Sequence, residues 1–190
     1  MNILFLSISD ASGHKSAMDA VMKALKSIEN HINVMGLNFF NYLPKKLVKK
    51  IDNAYYSMIE TKPGLWTYLR KKKLVRFILK PFEILFCIIV ALFFFKNVLK
   101  KKKFDAIVCT HSFPCVCINL LKKLKIKKSN LFAIITDYSI NSFWINKNVD
   151  YYIIPHKNLE YGLIKNNIPQ KKIKILGIPI DAKFNMPLNK

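Results

Sequence analysis

A chain of 190 residues with 52% hydrophobic content can bury a sizeable core, and one domain is the expectation. Its 32 Lys+Arg against 11 Asp+Glu give a net charge of +21, which points to anionic partners, either nucleic acid or an acidic membrane surface. The cysteines exclude a disulfide framework and a paired C-x-x-C metal site: Cys87 lies in an apolar run and Cys109, Cys115 and Cys117 are too closely spaced, so reduced thiols are expected.

The opening "MNILFLSISD" lacks the basic start and the longer apolar run of a secretory signal, which favours a cytoplasmic setting. It reads instead as a first strand over 2–8. Residues 15–29 put Met18, Val21, Leu25 and Ile28 at helical spacing, and a second strand follows at 33–38. Further strands are predicted at 105–110, 131–136, 151–154 and 173–176, with crossover helices at 114–125 and 156–166. This alternation predicts an α/β fold: a Rossmann-like parallel sheet with helices on both faces.

Residues 41–103 break the alternation. They read as a helix near 44–60, the turn "TKPG", the aromatic-basic patch "LWTYLRKKK" and the apolar run "PFEILFCIIVALFFF". From Phe82 to Phe95 that run is fourteen residues, about 21 Å as a helix against a hydrocarbon core of about 30 Å. Lys80, Pro81 and Glu83 are expected to block its extension, so spanning is not expected. A buried core helix is one reading. Flanking lysines favour the other, an apolar helical insertion lying in a membrane interface, with Trp66, Tyr68, Arg70, Lys71, Lys72, Lys73, Phe86, Phe93, Phe94 and Phe95 as its contacts. Nucleic acid is the weaker partner, because no recognised binding motif accompanies the charge.

In open parallel sheets, ligands bind beyond the carboxyl ends of the strands. Those ends carry "SDASGH", "THS" (110–112), "TDYS" (136–139) and "GIP" (177–179). Gly13 is either a plain turn residue or a place where backbone approaches a ligand at a helix start. His14 either packs and caps, or takes a proton from a hydroxyl near neutral pH. Asp137 caps the following helix or orients a base or substrate, and His111 reads first as a hydrogen-bonded structural histidine. Neither G-x-G-x-x-G nor a Walker A loop occurs.

The ordered segments "ILFLSISDASGHKSA", "FDAIVCTHSFP", "AIITDYSINSFWINKNVDYYIIP" and "IKILGIPIDAKF" resemble the N-terminal domain of the monogalactosyldiacylglycerol synthase and diacylglycerol glucosyltransferase family, in glycosyltransferase family 28. The resemblance implies the N-terminal half of a GT-B arrangement, whose two Rossmann-like domains face each other across a cleft. It further implies that His14 is the general base for metal-independent transfer from a UDP-sugar to a diacylglycerol-type acceptor, with no cofactor. Asp137 joins His14 on the catalytic side, and Ser12, Gly13, Thr110, His111, Thr136 and Trp144 fall on the acceptor side. Three positions depart from the family pattern: Ala11 replaces a glycine, Ser112 a proline, and Asn141 a histidine that follows the Thr-Asp pair.

On that resemblance, residues 1–180 form the acceptor and membrane-binding domain, with 41–103 as its membrane-facing part, and 181–190 begin an interdomain linker. The nucleotide-sugar domain is then expected from a separate chain, as in the two-subunit transferase of dolichol-linked glycan synthesis, or is missing. In the latter case the chain is a fragment of such an enzyme, or a non-catalytic membrane-binding remnant of one. Either form would sit on the cytoplasmic face of the cell membrane as a peripheral or monotopic protein, and would meet UDP-sugar only with a partner domain.

Overall fold

Apolar runs four to six residues long alternate their side chains between two faces, and here both faces are covered. The computed structural model describes residues 1–8, 12–29, 31–49, 53 and 73–185. Six strands form one sheet: β1 Asn2–Ser7, β2 Asn33–Asn38, β3 Ala106–Cys109, β4 Asn130–Ile134, β5 Tyr151–Ile154 and β6 Ile173–Ile175. Every pairing is parallel, in the order β2-β1-β3-β4-β5-β6. Four longer helices are described: α1 Gly13–Ile28, α2 Lys73–Phe94, α3 Ser112–Lys123 and α4 Asn158–Lys165.

Strand β1 shows how the layers form. Leu4, Phe5 and Leu6 are all 0% exposed, and full burial of such a side chain stabilises by about 1.5–3 kcal/mol. Ile3 and Phe5 join Met18 of α1, together with Ala106 and Val108, on one face. Leu4 and Leu6 point the other way, into a larger core with residues of α2, α3 and α4. Helix α1 begins at Gly13 because Ser12 caps it, accepting a hydrogen bond from the Lys15 amide at 3.3 Å.

The strand order places the topological switch between β1 and β3. From β1 the chain winds to one edge through α1 and β2, then returns on the other side of β1 as β3. The loops leaving these two adjacent strands therefore diverge to opposite faces and open a crevice at their carboxyl ends.

The apolar insertion is longer than its sequence suggests. Pro81 lies inside α2, not at its start, and a π turn over Phe95–Leu99 continues the chain. A proline removes one ladder hydrogen bond, while Cys87, Val90, Ala91 and Phe94 of the same helix are buried in the core. Phe82, Leu85, Ile89, Leu92 and Phe93 line the opposite, exposed side. Lys80–Leu99 has the length and composition of a membrane span, with mean hydropathy 2.3, though a third of that window is buried within the domain.

The membrane contacts expected from sequence divide accordingly. Phe93 is exposed, Phe86 and Phe95 are half-buried, and Phe94 is fully buried, its ring centroid 4.5 Å from that of Phe39. Phe94 thus belongs to the core, since the helical repeat carries it round with Val90 and Ala91. Trp66, Tyr68, Arg70, Lys71 and Lys72 lie outside the described residues, as does most of the helix expected near 44–60, and only the backbone of Lys73 is described. All four cysteines are buried free thiols.

Candidate active site

At the mouth of the crevice, the loops after β1, β3 and β4 bring three predicted residues together. His14, in the first turn of α1, lies with Nδ1 2.5 Å from the Thr136 hydroxyl oxygen. Its ring meets the ring of His111 edge to face, at 4.7 Å between centroids. Both histidines and Thr136 are half-buried, so the cluster is held by the fold yet open at the rim. Gly13 is exposed beside it, and an added Cβ there would meet nothing among the described residues within 4 Å. Its lack of a side chain keeps open space at the helix start.

His111 has a structural role as well. Its Nδ1 accepts the Phe113 amide at 3.1 Å and so caps α3. That bond leaves the proton of the neutral ring on Nε2. Burial, and then the neighbouring His14, push its pKa down to about 3. Above pH 6.5, its ordinary value, His111 is neutral folded or unfolded and favours neither state. As the pH falls below that value the unfolded chain takes up a proton that the folded chain refuses, so stability drains away until the pH nears 3. His111→Asn, whose Oδ1 can keep the cap, is expected to flatten this loss: urea titrations at about pH 7 and about pH 4.5 should show a smaller drop than in the parent. An equal drop in both proteins would show that His111 carries none of the acid sensitivity.

Other expected site residues turn away from the rim. Thr110 is fully buried, its hydroxyl donating to the Leu6 carbonyl oxygen at 3.4 Å. Trp144 is also fully buried, and its indole nitrogen has no partner among the described residues. Neither offers a surface to an acceptor, in contrast to the expectation. Ser12 serves α1 as its cap. Asp137 is half-buried beside Thr136 in sequence, and it is Asn141, not Asp137, that caps the following short helix by accepting the Phe143 amide at 3.0 Å. Gly177 needs its glycine for backbone reasons, with φ +86.

An aromatic cluster escaped the sequence reading. Phe113, two residues after His111, has Phe39, Phe40, Phe86 and Phe143 around it at 5.8–6.4 Å between centroids. Phe86 belongs to α2, so these rings join the exposed apolar side of that helix to the histidine pair. The signal was "HSFP" itself, an aromatic placed two residues after a rim histidine.

A doubly wound parallel sheet with its polar cluster at the switch point is a Rossmann-like domain. A solved structure described as the lipopolysaccharide outer core galactosyltransferase WaaB, apo form, shares the fold, with TM-score 0.56 and 14% identity over 93% of this chain and 45% of that one. Residues 14–180 match the family model for monogalactosyldiacylglycerol (MGDG) synthase, and the chain belongs to that family. The uncharacterized glycosyltransferase YkoN of Bacillus subtilis is 28% identical over 189 residues, which are 96% of this chain and 48% of that protein. A processive diacylglycerol beta-glucosyltransferase of Bacillus cereus is 28% identical over 94 residues, 50% of this chain and 24% of that protein. The chain therefore spans about half or less of the length of the curated relatives it matches.

Proposed function

We propose that this chain is the acceptor-binding half of a membrane-associated glycolipid glycosyltransferase, which passes a hexose from a UDP-sugar to diacylglycerol. The observation that carries this reading is the position of His14: at the switch point, half-open, and joined to the exposed apolar side of α2 through His111, Phe113 and Phe86. A lipid held on that side can present its hydroxyl to the imidazole without leaving an apolar surface. His14 Nε2 takes the hydroxyl proton as the oxygen bonds to the anomeric carbon, and the bond from that carbon to the UDP phosphate oxygen breaks. The aromatic cluster lines the acyl chains, and the enzyme works as a peripheral or monotopic protein on the cytoplasmic face of the cell membrane.

Donor binding falls to a second domain, supplied in the same chain or by a partner. The diphosphate of a UDP-sugar needs a helix N-terminus or a basic clamp, and a rim on one side of a cleft cannot close around a donor or keep water out. The test is a chimera joining residues 1–180 to the C-terminal half of the Bacillus subtilis relative. It is expected to move radiolabelled glucose or galactose from UDP-sugar into diacylglycerol in vesicles, while residues 1–190 alone transfer none. Transfer by residues 1–190 alone would refute the division of labour. A chimera that binds UDP-sugar and floats with vesicles yet leaves diacylglycerol unlabelled would refute the acceptor assignment.

A further inference from the structure

His14 can serve as a base only if the nitrogen facing the acceptor carries a lone pair. A neutral imidazole has one N–H and one lone pair, and the partner of one nitrogen decides the state of the other. Among the described residues, the only hydrogen-bond partner of the His14 ring is Thr136, 122 positions away in sequence and 2.5 Å away in the fold. A threonine hydroxyl rotates and can donate or accept. If it donates, the His14 proton sits on Nε2 and the ring has nothing left to take a proton with. If it accepts, Nδ1 holds the proton and Nε2 is free.

We propose that Thr136 is a positioning residue which accepts the Nδ1–H of His14, fixing the imidazole as the tautomer whose Nε2 is the free base. The inference rests on the reading of His14 as base and goes one step beyond it. Thr136 was expected to hold the acceptor; the geometry gives it to the histidine instead. His111 completes the setting. Its own Nδ1 is occupied by the Phe113 amide, so it stands against His14 as a neutral ring and adds no second positive charge when His14 is protonated.

The same bond changes during the reaction. Once Nε2 has taken the acceptor proton, Nδ1–H belongs to an imidazolium, and hydrogen bonds from charged donors are about twice as strong as neutral ones. Thr136 therefore favours the protonated ring over the resting one, so its effect appears in turnover more than in acceptor binding.

The tautomer can be read directly in long-range 1H–15N spectra of the 190-residue chain labelled at histidine, with His14→Ala identifying the His14 signals. In the parent and in Thr136→Ser, the His14 pattern is expected to be that of Nδ1–H. In Thr136→Val, which keeps the shape and loses the hydroxyl, the ratio of Nδ1–H to Nε2–H is expected to fall by about tenfold, the equivalent of one ordinary hydrogen bond. The chimera should follow, with kcat reduced about tenfold in Thr136→Val, KM little changed, and Thr136→Ser close to the parent. An Nε2–H pattern in the parent, or a Val variant with an unchanged ratio and intact backbone spectrum, overturns the proposal. Neither result depends on catalysis, so failure here is distinct from failure of His14 as the base, which near-normal turnover in His14→Ala would show.

Discussion

Replacing His14 with alanine is expected to lower sugar transfer by about 100-fold or more while leaving the fold in place, the usual cost of removing a positioned general base. The structural side of this expectation follows from where the ring sits. It is half-buried at the rim, and among the described residues its ring meets the Thr136 hydroxyl and the ring of His111. The apolar packing of α1 comes from other residues, including Met18 on the sheet with Val21, Met22 and Leu25 around it, and alanine is a better helix former than histidine. Removing the ring therefore takes away a proton acceptor and little of the core. Turnover of the chimera, with circular dichroism and vesicle flotation as controls, separates the outcomes. Loss of turnover with unchanged flotation fits a base, and turnover within a few-fold of the parent removes His14 from the chemistry.

The fold was legible because its strands lie between two layers. Buried on both faces, β1, β3 and β4 are short continuous apolar runs, and such runs separated by helical spacing leave few alternatives to a parallel sheet. His14 and His111 were legible for a related reason: a parallel sheet gathers the carboxyl ends of its strands at one rim. Side-chain direction was not. Thr110 and Trp144 sit next to motif residues yet face inward, because burial is decided by strand alternation and tertiary packing rather than by proximity in sequence. The bond between His14 and Thr136 joins two loops brought together only by the order of the strands.

Pro81 and Phe94 were misread through local rules. A proline ends a helix when nothing else holds the helix together, but α2 is fixed to the domain by Cys87, Val90, Ala91 and Phe94. Pro81 itself is exposed, so its ring displaces no packed neighbour. In a helix that is apolar all round, composition cannot say which phenylalanine faces the core. The stripe at 87, 90, 91, 94 and 98 becomes visible only when α3 supplies the surface it packs against.

That stripe bears on how α2 would meet a membrane under the proposed function. Crossing the bilayer would expose Cys87, Val90, Ala91 and Phe94 to lipid and strip them from the core they share with α3. Lying in the interface leaves that core intact and buries only the outer side. Phe82, Leu85, Ile89 and Phe93 are 67%, 55%, 44% and 42% exposed. With full burial of such a side chain worth about 1.5–3 kcal/mol and roughly half of each already covered, the four together contribute about 4 kcal/mol, close to 1,000-fold in partitioning. The exposed Lys96, Lys100, Lys101, Lys102 and Lys103 follow directly, and each adds up to about 1 kcal/mol at an anionic surface, weakened by salt. Changing the four apolar residues to serine is therefore expected to reduce flotation with anionic vesicles by about 100-fold or more; the covered half of each side chain is lost as well, so circular dichroism and urea titration read beside flotation separate lost membrane contact from lost fold. The parent should bind anionic vesicles more tightly than neutral ones and lose that preference as salt rises. A quadruple variant that floats as well as the parent would place the membrane contact elsewhere, and a parent that prefers neither vesicle would leave the lysine cluster without a part in binding.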